Sequence, residues 1–255
     1  MIKNKKNLGQ HYLYDQFVID NIISMIMPRK KDFFIEIGAG KGALTSQLCK
    51  YAKKVIVIEF DKDLVFILKK IQKKHKNLII INNDILKIKI DKLIKNDSKI
   101  RIVGNLPYNI SKKIILNLIK NYKLIKDINF MIQKEVAERL TAKPSTKKYG
   151  KMSIFTQYHF KIIKLLEVAP SAFIPTPKVH SNVIKLYPYK REINTNCWKK
   201  FKDIVDLAFH SRRKILSNSL KKYISNEQMK LLNIPIKSRA EEVDINTYCK
   251  ISNMI

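Results

Sequence analysis

From Phe33 onward, short runs of consecutive apolar residues alternate with longer stretches in which apolar positions recur every three or four residues. Continuous runs suit strands covered on both faces, and the 3.6-residue repeat suits helices laid against them. The pattern predicts strands at Phe33–Ile37, Val55–Ile58, Leu78–Ile81, Ile100–Val103 and Ile128–Ile132. Helices are predicted at Ala43–Tyr51, Lys62–Lys74, Ile110–Tyr122 and, briefly, Glu135–Leu140. Strand and helix in alternation build a mostly parallel sheet. Lys143–Gly150 is polar and contains Pro144, Ser145 and Gly150, so it reads as a loop. Ile162–Val168 and Val179–Tyr187 follow as a late pair of strands, expected to be antiparallel neighbours at one sheet edge. Beyond Tyr189 the strands stop, and Trp198–Phe209, Lys214–Tyr223, Glu227–Leu232 and Ile245–Ile255 are amphipathic helical stretches. The expected organisation is an α/β domain over 1–188 and a small all-helical domain over 189–255.

At 255 residues and 45% apolar composition the chain can bury a full core, which excludes wholesale disorder. No run reaches the roughly 20 apolar residues of a membrane span, so no membrane partner is expected. Lys3, Lys5 and Lys6 have no apolar stretch behind them, so no secretory signal is expected either. Cys49, Cys197 and Cys249 are odd in number and far apart, which fits a reducing, cytoplasmic setting and neither a disulfide frame nor a metal site. Basic residues number 51 against 21 acidic, a formal charge of +30 that attracts polyanions at long range. Nucleic acid is the first partner this suggests. With only seven arginines and abundant Ile and Asn, a compositional bias toward Lys accounts for part of the excess, and charge alone locates no binding face.

Glu36-Ile37-Gly38-Ala39-Gly40-Lys41-Gly42 lies where the first of these strands gives way to a helix. Glycines there let backbone approach a ligand, and the helix start offers unpaired N–H groups. A triphosphate loop would need Gly-Lys followed by Ser or Thr, but Gly42 follows Lys41. A dinucleotide site fits better, with Gly38, Gly40 and Ala43 matching G-x-G-x-x-A and Glu59 standing 21 residues after Gly38. The carboxylate of Glu36 decides between ligands, because it would repel a pyrophosphate and welcome an ammonium. S-adenosyl-L-methionine carries an amine and a sulfonium and no phosphate. Glu59 at the second strand end is placed to accept both ribose hydroxyls, and Asp84 at the third to accept from the adenine amine. Each acid alone reads equally as a solvated strand-end carboxylate; three at successive strand tips with the glycine turn do not.

Gly104-Asn105-Leu106-Pro107-Tyr108 ends the fourth strand at the same edge. An exocyclic adenine nitrogen is a poor nucleophile because its lone pair is conjugated with the ring. An Asn oxygen and a backbone carbonyl held rigid beside Pro107 could accept both N–H groups and favour a pyramidal nitrogen. Tyr108 would stack on the base, and no strong general base is needed because the methylated amine is itself acidic.

With these residues in view, the chain resembles the KsgA-type small-subunit ribosomal RNA adenine N6-dimethyltransferase family. The resemblance runs through Leu8–Leu13, Glu36–Gly42, Asn105–Tyr108, Gln133–Leu140, Tyr149-Gly150, Phe173–Ser181, Ala208-Phe209, Arg212–Lys214 and Asn218–Leu220. It implies a Rossmann-like class I methyltransferase domain with a small helical C-terminal domain, acting on two adjacent adenines near the 3′ end of small-subunit rRNA within a pre-30S particle, as a monomer. Cofactor contacts implied or inferred are His11, Leu13, Glu36, Gly38, Gly40, Glu59, Asp84 and Asn105. The catalytic set is Asn105, Leu106, Pro107 and Tyr108, with Phe173 expected to face Tyr108 across a flipped base. The family usually has Asn where His11 stands and Phe where Tyr12 stands; a neutral His is expected to donate to the methionine carboxylate in its place. RNA backbone contacts are expected from Lys143, Lys147, Lys148 and Lys151 around the polar loop and from Arg212, Arg213 and Lys214. Two other readings share the pattern: a large-subunit rRNA adenine methyltransferase of the macrolide-resistance type, and a non-catalytic ribosome-assembly factor.

Overall fold

The computed structural model describes residues 10–94, 99–189, 195–210 and 214–255. In chain order its elements are β1 (Tyr12–Leu13), α1 (Gln16–Ile26), β2 (Phe33–Ile37), α2 (Ala43–Tyr51), β3 (Lys54–Glu59), α3 (Lys62–Lys74), β4 (Leu78–Asn82), β5 (Ile100–Asn105), α4 (Ser111–Ile119), β6 (Ile125–Gln133), α5 (Lys134–Leu140), α6 (Lys151–His159), β7 (Phe160–Val168), β8 (Phe173–Ile174), β9 (Ser181–Pro188), α7 (Trp198–Ala208), α8 (Leu216–Leu220), α9 (Asn226–Leu231) and α10 (Ile245–Asn253). Two compact units result: 1–137 with 161–188, and 138–160 with 189–255. Residues 138–160, assigned from sequence to the first domain, therefore group with the helices.

The first unit is a seven-stranded sheet in the order β4-β3-β2-β5-β6-β9-β7, plus a two-stranded sheet of β1 and β8. β2 pairs in parallel with β3 and β5, β3 with β4, and β5 with β6, whereas β9 runs antiparallel to β6. β7 takes the edge beside β9, as the late strand pair predicted. Strand order reverses between β2 and β5, and the crevice beyond their carboxyl ends is where open α/β sheets bind ligands. The central strands are mostly apolar because both faces are covered: Phe34, Ile35, Val55, Val57, Ile102 and Val103 are all buried. β5 also approaches β2 closely. A Cβ on Gly104 would sit 2.4 Å from the Ile37 carbonyl oxygen, so only glycine fits there.

α1 has no counterpart in the sequence reading. Its signals are a cap, with the Asp15 carboxylate accepting from Val18 N–H at 3.1 Å, and buried Ile19, Ile22 and Ile26 at helical spacing. Its terminal carbonyls are taken by Arg101, which reaches Ile26 O at 2.6 Å and Met27 O at 3.1 Å, and by Lys185, 3.1 Å from Met25 O. Arg101 also binds Asp127 through two N–H groups, at 2.8 and 2.7 Å, and Asp32 at 2.8 Å, all buried. Burial opposes ionisation of Asp32, yet the bonds from Lys126 and Arg101 hold its carboxyl below the usual value. The helix predicted over 110–122 stops at Ile119, and a single tighter turn at Tyr122–Leu124 follows.

The second unit is built on aromatic packing. Tyr158 stacks on Phe201 at 4.5 Å between ring centroids, Trp198 on Phe201 at 5.5 Å, and His159 meets Trp198 edge-on at 4.6 Å. Buried Tyr248 donates to Ala240 O at 2.8 Å. α6 was not predicted because it buries residues all round, including Ile154, Phe155, Tyr158 and His159, and so shows no one-sided stripe. The helix expected over 214–223 is confined to Leu216–Leu220.

Candidate active site

The turn after β2 forms as the glycines require: Gly38, Gly40 and Gly42 lie at φ of 69°, 58° and 85°, left-handed values that an L side chain rarely adopts. Glu36 at the tip of β2 is buried and accepts from Thr45 Oγ1 at 2.6 Å. Burial, together with the nearby Glu59 carboxylate, raises its pKa to about 7 against the pull of Thr45. A carboxyl kept out of water without a cation is a ready seat for an ammonium group. Glu59 ends β3, and its two oxygens accept from Gly40 N–H and Asp61 N–H, each at 3.0 Å. Each oxygen keeps a further lone pair, so the carboxylate both steadies the glycine turn and can accept a pair of hydroxyls. Burial raises its pKa as well.

Two adjoining cavities open above these strand ends, with about 670 and 780 Å³ of empty space including their mouths. The first is lined by Glu36, Gly40, Leu13, His11, Asn105 and Tyr108, the second by Asp84, Ile85, Leu86, Phe60 and Asn109; Gly38, Glu59, Gln10 and Pro107 border both. Every residue expected to touch cofactor lies on this pair of cavities. Asp84 already caps a turn, accepting from Leu86 N–H at 2.9 Å through one oxygen, which leaves the other for a ligand. The acceptor set fits S-adenosylmethionine: desolvated Glu36 for its amine, Glu59 for its ribose and Asp84 for its adenine, and among the described residues the one cation lining these cavities is Lys41, which lies over the Tyr12 ring. Among the described residues there is no group of three His, Cys, Asp or Glu able to hold a metal.

The segment from Gln10 to Leu13 closes one side. Tyr12 and Leu13 pair with Ile174 and Phe173, Tyr12 donates to Gln10 Oε1 at 2.7 Å, and Gln10 donates to Asp61 at 3.2 Å. The Asn105 amide donates to His11 O at 2.8 Å, which turns its oxygen the other way. The Pro107 carbonyl is taken by Ile110 and Ser111 N–H groups that start α4, leaving Leu106 O as the rigid carbonyl beside the proline. Tyr108 OH and Ser181 Oγ share a hydrogen bond of 2.7 Å, and burial raises the phenol pKa so that it stays neutral.

Two expectations change. Phe173 is 1% exposed and packs in the hydrophobic core, and the ring in contact with Tyr108 is His11, at 5.2 Å and 31°. β1 lies in register over β8 and buries that phenyl, a pairing that no local pattern in two-residue strands reveals. His11 Nδ1 lies 2.7 Å from Pro175 O and must be the donor, since a carbonyl only accepts. A neutral His11 then presents Nε2 as an acceptor and cannot donate to a carboxylate; only the imidazolium could do both. Of the lysines expected on RNA, Lys148 pairs with Glu138 and Lys151 with Asp206 at 2.9 Å. Such exposed pairs are worth about 0–1 kcal/mol and exchange readily for phosphate. Lys143, Lys147 and Lys214 are exposed, while Arg212 and Arg213 lie outside the described residues. Gln10 and Ser181 were overlooked as supports, although each stands within a string that carried the resemblance.

The family described as ribosomal RNA adenine dimethylase matches over residues 1–255. The chain belongs to that family. Among curated relatives, ribosomal RNA small subunit methyltransferase A of Wigglesworthia glossinidia brevipalpis is 46% identical over 99% of this chain and 98% of its own length. The protein of the same name from Buchnera aphidicola subsp. Acyrthosiphon pisum is 43% identical over 98% and 92%. Among solved structures, a dimethyladenosine transferase from Plasmodium falciparum superposes with a TM-score of 0.79 at 27% identity, covering 94% of this chain and 96% of that one. The 23S rRNA methyltransferase ErmE gives 0.74 at 21% identity over 95% and 98%, a likeness of fold. The first unit is thus a Rossmann-like class I methyltransferase domain.

Proposed function

We propose that this chain dimethylates the N6 amino groups of two adjacent adenosines in the 3′-terminal hairpin of small-subunit rRNA, drawing methyl groups from S-adenosylmethionine. The observation that carries this is the Asn105 amide, whose nitrogen is committed to His11 O at 2.8 Å so that its oxygen is left to accept from a substrate amine. The cofactor, when bound, supplies an electrophilic methyl on sulfur. The chain does the rest. Asn105 Oδ1 and Leu106 O accept the two N–H groups of the target amine and free its lone pair. Tyr108, steadied by Ser181, stacks on the base, which must leave its helix at a cost of a few kcal/mol. Stacking worth about 1–3 kcal/mol offsets that cost. The proton leaves from an amine made acidic by methylation, so no strong base is needed.

Cofactor binding is assigned to Glu36, Glu59, Asp84, the Gly38 and Gly40 backbone, Leu13 and Asn105. Backbone phosphates are assigned to Lys143, Lys147, Lys148, Lys151 and Lys214 with Arg212 and Arg213. The natural substrate is placed within a pre-30S particle in the cytoplasm, met by a monomer. Small-subunit relatives at 43–46% identity favour that RNA over the large-subunit one, for which the likeness is of fold alone. Among the described residues no helix is long and apolar enough to cross a membrane. Labelled methyl transfer to undermethylated small-subunit particles and to large-subunit RNA tests the proposal. Counts in the former support it, whereas counts only in large-subunit RNA, or none with cofactor bound, sink it.

A further inference from the structure

The geometry points to His11 as a positioning residue that covers the face of Tyr108 until the target base displaces it. This rests on the reading of the chain as an adenine methyltransferase. The His11 and Tyr108 ring centroids are 5.2 Å apart. A base between two rings needs two contact layers of about 3.5 Å each, roughly 7 Å in all. No base fits between them as they stand. Phe173, the other aromatic near this strand, is packed in the core.

The backbone of residue 11 is fixed while its ring can leave. Its carbonyl accepts from Asn105, and the two residues after it are paired with β8. Among the described residues the ring itself is tethered by one hydrogen bond, from Nδ1 to Pro175 O at 2.7 Å, on the exposed side of the site. Rotation of that side chain uncovers Tyr108 without disturbing the strand pair or the orientation of the Asn105 amide.

The consequence is a competition. A base that only stacks on Tyr108 gains little over the imidazole it removes. A base with an amino group that also reaches Asn105 Oδ1 and Leu106 O gains two hydrogen bonds besides. His11 thereby sets a cost that every entering base meets alike, and the two hydrogen bonds to Asn105 Oδ1 and Leu106 O repay it for a base with an amino group.

The test uses the full chain with His11→Ala and His11→Asn, measuring KM for an undermethylated small-subunit particle, kcat, and cofactor Kd by calorimetry. Wild-type protein that transfers no methyl refutes the underlying reading and is recognised before any variant is compared. With an active wild type, both variants should lower KM for the particle by roughly two- to tenfold, the worth of one aromatic pair, with kcat moving less than KM. The same substitutions made on Tyr108→Leu should give no such gain. KM unchanged or raised in both variants, a gain that persists without the tyrosine ring, or a cofactor Kd weakened in step with KM would each overturn the inference.

Discussion

Asn105 and His11, 94 positions apart in the chain, are joined by a hydrogen bond from the side-chain amide of one to the backbone carbonyl of the other, 2.8 Å long. An amide is nearly symmetric in shape, and this bond decides which of its ends faces the cavity. The orientation is therefore set before substrate arrives, as preorganised stabilisation of a reacting group requires.

Asn105→Asp should consequently be as damaging as Asn105→Ala. A carboxylate cannot donate to His11 O, so it loses the orienting bond while keeping nearly the same size. Loss of a preorganised polar group of this kind costs about 10²–10³ in rate. Single-turnover methyl transfer with saturating cofactor checks this; an Asp variant within tenfold of wild type would contradict it.

Cofactor affinity should depend on pH through Glu36. In the free protein this carboxyl titrates at about 7, mainly because burial disfavours its charge. An ammonium group binds the ionised form, so affinity should rise with pH toward 7, by up to about tenfold per unit below it, and level off above. The same group makes the free protein less stable as pH rises from about 4.5 to 7, since the folded state holds the proton that the unfolded chain releases. Calorimetric titration between pH 5.5 and 8 measures the first effect. Glu36→Gln should abolish the slope, and a slope that survives would assign it elsewhere.

The helical unit should lose stability in acid through His159. Burial among Tyr158, Phe160 and Trp198 lowers its pKa to about 4. Between about pH 6.5 and 4 the unfolded chain binds a proton that the folded one refuses, so stability falls as pH falls across that window. Trp198, the single tryptophan, lies against this ring and reports the transition. Denaturant midpoints followed by its fluorescence at pH 7 and pH 5 should differ; equal midpoints would refute the assignment.

Arg101→Met should destabilise the α/β unit by about 3–5 kcal/mol, because Asp32 and Asp127 would be left as buried charges without their shared partner. Adding Asp127→Asn to that variant should recover part of the loss. Thermal unfolding of the full chain measures both, and an Arg101→Met protein as stable as wild type would exclude the network from the fold's support.

How much of this was legible in the sequence follows from how local each signal is. Parallel strands and α3 show clear periods, and Lys62–Lys74 matches its predicted span. The glycine turn with Glu36, Glu59 and Asp84 is also readable, since strand ends converge on one crevice in any such sheet. The β1–β8 pair is not, because it joins two residues to two others some 160 positions away. For that reason Phe173 was expected at the base and His11 was not. Nor could sequence show that Lys148 and Lys151 are held by Glu138 and Asp206, which depends on helices meeting within the second unit.

The central claim is that Asn105 and Leu106 present an adenine amine for methylation. Its most direct test is nucleoside mass spectrometry of small-subunit rRNA from undermethylated particles incubated with the purified chain and S-adenosylmethionine. The account predicts N6,N6-dimethyladenosine at two adjacent positions with wild-type protein and none with Asn105→Ala. Dimethyladenosine formed equally well by the Asn105→Ala protein, or methyl groups found only on other atoms or other RNAs, would contradict it.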